Sequence, residues 1–139
     1  MTHENPSNDE IRELLRNARN IAVVGLSNQS DRPSNSVARY LRNAGYRIFP
    51  VNPMIDEWDG LPAYDSVRNV PGKVDIVDVF RRPEYVPPVV DDAIAAGAGA
   101  IWMQVGVVNA GAAQAAWDAG LVVIMDRCAM VEHRKLIAG

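Results

Sequence analysis

The feature that most constrains the fold is an alternation of short apolar runs with helical segments along the chain. Residues 21–24 are wholly apolar and end at Gly25, which is typical of a parallel strand buried on both faces. Helical patterns begin at Pro33, Ala110 and Met130, and another passes through Ile94. Alternation of this kind indicates an α/β fold with a parallel sheet. Four further segments have a strand pattern: residues 46–51, 74–79, 100–105 and 121–125.

A chain of 139 residues has the size of one domain. Because parallel crossovers are nearly always right-handed, we predict a Rossmann-like, doubly wound sheet with helices on both faces. We expect five parallel strands in the order 3-2-1-4-5. Ser7 and Glu10 form a capping-box pattern ahead of a further helix at residues 8–18. We therefore divide the chain into an N-terminal helix packed on the domain, residues 1–19, and the Rossmann-like domain, residues 20–139.

Composition excludes several classes of protein. The net charge of -3 argues against a nucleic-acid partner, and the single Cys128 excludes an internal disulfide framework. Two histidines make a histidine-based metal site unexpected, so we predict no metal site. No apolar run approaches 18 residues, and the polar N-terminus does not resemble a signal or transit peptide. We expect a cytoplasmic domain without a membrane partner, as a monomer or small homo-oligomer.

The topology predicts where a ligand binds. Ligands of open parallel sheets lie beyond the carboxyl ends of the strands, at the point where the strand order reverses. With the predicted order, this switch point lies between the first and fourth strands. The residues that follow each strand are therefore the candidates for a binding site.

The loop after the first strand lacks the dinucleotide fingerprint G-x-G-x-x-G. Gly25 is present, but Ser27 and Ser30 occupy the other two glycine positions. The second strand ends in Val51 and Asn52 rather than in an acid that could hold a ribose hydroxyl. The P-loop pattern is also absent. These departures disfavour an ordinary NAD site.

The same loop nevertheless has features that suit an anion. It runs into a helix that begins at Pro33, and the free N–H groups of a helix N-terminus attract negative charge. Arg32 stands at that helix start, where its own charge opposes the helix dipole and a bound phosphate would relieve the conflict. The alternative is a solvated polar loop with Ser34 or Asn35 as a plain helix cap. The residues alone leave both readings open.

Four segments in order carry a resemblance to a known family: VVGLSNQSDRPSNSVARYLRNAGYRIFPVNP, VDIVDVFRRPEYVPPVVDDAIAAGA, IWMQVGVVN and VVIMDRCAMVEHRKL. The chain resembles the small stand-alone CoA-binding domain proteins. These are similar to the N-terminal CoA-binding domain of the succinyl-CoA synthetase alpha subunit. The resemblance covers about residues 20–136, and it is the combination of segments that is specific, since each one alone would be weak.

The resemblance implies coenzyme A as the cofactor and assigns roles to residues after each strand. The nucleotide diphosphate would meet the first loop and the start of the next helix, at Gly25, Leu26, Ser27, Arg32, Pro33 and Ser34. The adenosine would be bordered by Asn52 and Pro53. The third strand would line the cleft through Phe80, Arg81 and Arg82. The pantetheine side would be approached from the fourth strand by Met103, Gln104 and Gly106.

We therefore predict a protein that binds CoA or an acyl-CoA as a sensor, carrier or accessory factor, without catalytic residues of its own. The resemblance does not extend to the synthetase domains that supply a phosphorylated histidine and ligase chemistry, so we expect no ligase activity. One alternative is a small CoA-dependent enzyme that uses Cys128, with Asp126 and His133 nearby in sequence. Another is an NAD(P)-type nucleotide-binding sensor. A protein-interaction module would instead show an apolar patch around Trp58.

Overall fold

The computed structural model describes residues 3–138. The five strands of its main sheet are β1 (Asn20–Val24), β2 (Arg47–Val51), β3 (Ile76–Val79), β4 (Ala100–Met103) and β5 (Val122–Ile124). The α-helices are α1 (Asn8–Asn17), α2 (Pro33–Asn43), α3 (Val86–Ala95), α4 (Ala110–Asp118) and α5 (Ala129–His133). The smaller elements are a hairpin that pairs Glu57–Trp58 with Leu61–Pro62, two 3₁₀ turns at Val67–Asn69 and Pro83–Tyr85, and a π-helical end at Arg134–Ala138.

The sheet is fully parallel and doubly wound, so the predicted Rossmann-like fold class is confirmed. The observed order is β2-β1-β3-β4-β5, which differs from the expected 3-2-1-4-5 in the place of one strand. The third strand pairs with β1, where Val23 lies opposite Asp78, instead of standing outside β2. The switch point therefore falls between β1 and β3, as in the other common doubly wound order.

The connection between β2 and β3 explains the difference. An outer third strand would need a right-handed crossover on the same face as α2, with a helix to cover it. Residues 52–73 contain only the hairpin and one 3₁₀ turn. Val67 and Val70 of that connection pack with Val86 and Val90 on the opposite face of the sheet. A right-handed connection over that face places the third strand on the other side of β1.

Two apolar layers cover the sheet. One face is packed by α1, α2 and α5, together with the buried Trp58, and is called the α2 face below. The other face is packed by α3, α4 and the 3₁₀ turn at Val67–Asn69, and is called the α3 face. Every residue from Ile21 to Val24 is buried, as the unbroken apolar run predicts for a central parallel strand.

The local signals for helix starts are confirmed. Ser7 caps α1 in a complete capping box with Glu10, Pro33 is the first residue of α2, and the Asn109 side chain caps α4. The last helix differs from the prediction for residues 130–137, because α5 is only one turn long and continues as a π-helical segment.

The segment before α1 covers one edge of the sheet. The Asn5 side chain donates to the Met125 carbonyl at 2.9 Å and accepts from the Met125 N–H at 2.8 Å. His3 Nε2 lies 2.8 Å from the Val123 carbonyl oxygen. These contacts satisfy backbone groups of the edge strand β5 and of Met125, the residue after it, that would otherwise face water or another chain.

We expect Asn5→Ala to lower the free energy of unfolding by roughly 1–3 kcal/mol, because two hydrogen bonds to Met125 are lost. Urea denaturation measures the change. Asn8→Ala is the matched control, since Asn8 is an exposed residue at the start of α1. Equal effects of the two substitutions would show that Asn5 does not secure the edge strand.

Within residues 3–138, the helices are too short or too polar to span a bilayer.

Candidate functional site

An open cavity of about 330 Å³ lies at the carboxyl ends of β1 and β3, at the switch point of the sheet. Most of its wall comes from the loop after β1 and the first turn of α2, and the rest comes from the residue after β3. Five of its residues belong to the predicted diphosphate site and a sixth, Phe80, to the predicted cleft. The residues that line it are Gly25, Ser27, Gln29, Arg32, Pro33, Ser34 and Phe80.

Gly25 allows the loops after β1 and β3 to approach closely at this cavity. Its φ of 84° lies in the left-handed region, and a β-carbon at this position would overlap the carbonyl oxygen of Phe80. The Gly25 N–H donates to Val51 at 2.8 Å, and the Phe80 N–H donates to Val24 at 2.9 Å. The end of β1 is thus held between β2 and β3.

Two buried side chains of α2 order the loop that follows Gly25. The Ser34 hydroxyl accepts from the Ser27 N–H at 3.0 Å, and Asn35 Nδ2 donates to the Ser27 carbonyl at 2.8 Å. The Ser27 hydroxyl in turn accepts from the Gln29 N–H at 3.1 Å. Neither Ser34 nor Asn35 caps the helix, so the plain-cap reading of these residues is wrong.

The N-terminus of α2 has no side-chain cap and no acidic residue in its first turn. The N-cap residue is Arg32, whose exposed side chain has only a 3.4 Å contact with Gln29 and makes no ion pair with a carboxylate within residues 3–138. Four other arginines in contrast lie within 3.2 Å of a carboxylate oxygen: Arg12, Arg42, Arg68 and Arg127. Arg32 and the helix dipole therefore both present uncompensated positive charge to the cavity.

Asn52 directly follows β2, and its side chain links two loops by hydrogen bonds. Its Nδ2 donates to the Leu26 carbonyl at 3.0 Å, and its Oδ1 accepts from the Met54 N–H at 2.9 Å. Pro53 is exposed beside it. Neither residue lines the cavity.

The predicted arginine pair follows Phe80 in the loop after β3. Arg81 is half-buried and Arg82 is exposed, and neither forms an ion pair in the part of the chain that the structure describes. Neither lines the cavity. The Asn109 side chain donates to Pro83 at 2.9 Å and ties this loop to the one that follows β4.

Two of the predicted site residues have side chains that belong to the core. Leu26 is fully buried on the α2 face, and Met103 is fully buried on the α3 face. Successive residues of a strand point to opposite faces, which turns Met103 away from the cleft. The backbone N–H of Gly106 already has a partner within the protein, because it donates to Asp126 Oδ1 at 2.8 Å.

Gln104 has an unexpected partner. Its Nε2 donates to Oδ1 of Asp78 at 2.6 Å, and Asp78 is completely buried in β3. Burial raises the pKa of Asp78 to about 7, although the hydrogen bond from Gln104 opposes the shift. The strand pattern shows an acid at this position, but the partner 26 residues away could not be inferred from it.

The enzyme alternative lacks its catalytic pair. Cys128 is half-buried at the start of α5, and His133 Nδ1 lies 2.9 Å from the hydroxyl of Tyr40 instead of reaching the thiol. The rings of Tyr40 and Tyr46 pack edge-on against His133, and burial lowers its pKa. In the described chain no hydrogen bond joins Cys128 to a base, so the triad of Cys128, Asp126 and His133 does not form.

A larger cavity of about 600 Å³ lies between the segment before α1 and helix α4. Glu4 and Glu10 line it together with Trp117, and no lysine or arginine does. Its carboxylates disfavour an anionic ligand. The smaller cavity at the switch point is the site whose charge suits a phosphate.

Sequence reasoning missed two residues of the site, Gln29 in the cavity wall and Asn35 behind Ser27. Both lie in the polar stretch between β1 and α2, which marked the region. Nothing in their spacing distinguishes them from the other polar residues there.

A doubly wound sheet with an ordered loop and an uncapped, arginine-bearing helix start at its switch point defines a Rossmann-like domain of the nucleotide-binding type. The match to a family model narrows this class. The model described as "CoA binding domain" covers residues 19–134, and the chain belongs to this family.

Relatives of two kinds are similar to this chain. The Bacillus subtilis (strain 168) protein named YneT is 45% identical over 130 residues, which cover 94% of this chain and 96% of that protein. An Archaeoglobus fulgidus acetate–CoA ligase (ADP-forming) is 31% identical over 77% of this chain, but the match spans only 16% of the ligase. A solved structure, a hypothetical protein from Pyrococcus horikoshii OT3, has a TM-score of 0.93 and 37% identity and covers 99% of both chains.

Proposed function

We propose that this protein binds CoA or an acyl-CoA at the cavity between β1 and β3, as a sensor, carrier or accessory factor without catalysis of its own. The observation that carries the proposal is Arg32 at the uncapped start of α2, which lines the cavity and makes no ion pair among residues 3–138. The diphosphate of CoA is the part of the ligand that this positive site would hold. Membership of the CoA-binding domain family supports the choice of ligand.

The sheet order supports a direction for the bound ligand. β2 lies on one side of β1, and β3 and β4 lie on the other. With the diphosphate at Arg32, the adenosine would extend towards Asn52 and Pro53 after β2. The pantetheine arm would then extend past Phe80 towards Arg81, Arg82 and Gln104, over the ends of β3 and β4.

The alternatives lack supporting features. An NAD(P)-type site would have an acidic residue after β2, where Asn52 is instead bonded to Leu26 and Met54. An enzyme using Cys128 would need a base at the thiol, and His133 is bonded to Tyr40. An interaction module with an apolar patch at Trp58 is disfavoured, because Trp58 is 1% exposed and lies beneath Arg39 and Arg42.

We expect Arg32→Ala to weaken CoA binding roughly tenfold or more, because a charge-assisted contact to phosphate contributes about 1.5–3 kcal/mol. Isothermal titration calorimetry measures the affinity, and added salt should narrow the difference between the two proteins. Arg16→Ala is the control, since Arg16 is an exposed arginine near the end of α1. It should bind CoA as the unchanged protein does.

Two results would contradict the proposal. The unchanged protein could show no heat of binding and no thermal stabilisation with CoA, acetyl-CoA or succinyl-CoA. Alternatively, Arg32→Ala could bind CoA as tightly as Arg16→Ala, which would place the ligand away from the start of α2. Native mass spectrometry of freshly purified protein provides an independent check, with a retained ligand of CoA mass as the expected result.

A further inference from the structure

Asp78 occupies a position where a carboxyl group is costly. It lies inside β3, with Val23 of β1 on one side and Trp102 of β4 on the other, and none of its surface is exposed. Its Oδ2 is buried without a hydrogen-bond partner among residues 3–138. Burying a polar atom without a partner destabilises a fold, so a valine here would suit the core better. The Asp78 carboxyl group has a single hydrogen-bond contact within residues 3–138.

That contact is with Gln104, which lies at the carboxyl edge of the sheet. The backbone of Gln104 is held on both sides, because its N–H lies 3.4 Å from the Val79 carbonyl and its own carbonyl accepts from the Val107 N–H at 2.8 Å. Its side chain turns to the α2 face and donates through Nε2 to Asp78 at 2.6 Å. Asp78 thus fixes the direction of the Gln104 side chain. It also engages the nitrogen of the Gln104 amide, and not the oxygen, in the internal hydrogen bond.

The other end of the Gln104 amide is left available. Oε1 has no hydrogen-bond partner in the described chain, and it is not among the fully buried unpartnered atoms, as Oδ2 of Asp78 is. An amide oxygen accepts hydrogen bonds from N–H and O–H groups. The pantetheine arm of CoA carries two amide N–H groups and a hydroxyl, which are donors of this kind.

We propose that Asp78 is a positioning residue that holds Gln104 so that its amide oxygen accepts a hydrogen bond from the pantetheine arm. This inference rests on the proposed CoA binding and concerns one part of the ligand only. It explains why a carboxyl group stands in a core strand beneath the predicted path of that arm. It also assigns the contact with the arm to the side chain of Gln104 and not to that of Met103, which points to the other face.

The test compares CoA with adenosine 3′,5′-bisphosphate, which lacks the pantetheine arm and the second phosphate of the diphosphate, and the effect of each variant is read separately for each ligand. Asp78→Val and Gln104→Leu should each weaken CoA binding roughly tenfold, the usual effect of one lost hydrogen bond, and change the affinity for the bisphosphate less than about twofold. The double variant should bind CoA as Gln104→Leu does, because both changes remove the same contact. Calorimetric titration measures all of these affinities.

Two further variants exclude a general effect on the fold. Asp78→Asn keeps an oxygen that accepts from Gln104, so it should retain the CoA affinity of the unchanged protein. Asp75→Asn changes a carboxyl group three residues earlier, which accepts from the N–H groups of Arg19 and Asn20 at the opposite end of the sheet. It should leave both affinities unchanged.

The inference is overturned if Asp78→Val binds CoA like the unchanged protein, or if it loses the same factor for both ligands. Asp78→Asn binding as weakly as Asp78→Val would also overturn it. These outcomes differ from failure of the proposed function, in which the unchanged protein binds neither CoA nor the bisphosphate.

Discussion

Gly25→Ala is expected to lower the free energy of unfolding by roughly 3 kcal/mol and to abolish measurable CoA binding. Two costs combine at this position. The backbone φ of 84° is strained for any residue with a β-carbon, and that carbon would overlap the Phe80 carbonyl oxygen. The Phe80 backbone cannot move freely, because its N–H is bonded to Val24. The loops after β1 and β3 would have to separate, and these loops form the cavity.

Urea denaturation and calorimetric titration with CoA measure the two effects. Gly120→Ala is the matched control, since Gly120 has a φ of 90° but no atom within 4 Å of an added β-carbon. The control should lose roughly 1 kcal/mol from backbone strain alone and bind CoA normally. If the two variants behave alike, close approach of the loops is not required for the site.

Asp78→Asn is expected to raise the free energy of unfolding by roughly 2–4 kcal/mol at pH 8 and to change it little at pH 4. Burial raises the pKa of Asp78 from 3.8 to about 7, so the native state keeps a proton that the unfolded chain has already released. The protonated carboxyl group of Asp78 contributes its full stabilisation of the fold below about pH 4. This stabilisation is lost as the pH rises through 7. The amide introduced by Asp78→Asn cannot ionise, so the variant does not lose this stability as the pH rises.

Urea denaturation of both proteins at the two pH values gives the comparison. Asp118→Asn, a change at an exposed carboxylate on α4, should have little effect at either pH. Burial lowers the pKa of His133, which destabilises the fold as the pH falls below 6.5, but this effect is common to both proteins and cancels. A pH-independent difference between Asp78→Asn and the unchanged protein would show that Asp78 does not titrate in the core.

The two Asp78 experiments bear on each other. A residue that reduces stability at neutral pH, yet can be replaced by an amide without loss of binding, is present for its hydrogen bond and not for its charge. Improved stability of Asp78→Val with weakened CoA binding would be the usual exchange between stability and function.

Much of the cavity could be predicted because its residues are close in sequence. Gly25, Ser27, Arg32, Pro33 and Ser34 lie within ten residues between one strand and the next helix, where the signals for strand end and helix start are local. Phe80 joins them from β3; the resemblance implied that it lines the cleft, but its place beside Gly25 follows from the strand order, which was not predicted. The hydrogen bonds that Ser34 and Asn35 make with the Ser27 backbone were not predicted, since several polar side chains in this loop could have formed them.

The sequence by itself determined the elements and the class of fold. Apolar runs, Pro33 and the caps Ser7 and Asn109 act within one turn or one strand, so their effect can be read from neighbouring residues. Only the tertiary structure decided which strand lies beside β1, and that choice placed the switch point next to Phe80. The hydrogen bond between Asp78 and Gln104 was likewise revealed only by the tertiary structure. Both are contacts between distant residues, and strands that are apolar on both faces carry no pattern that distinguishes one neighbour from another.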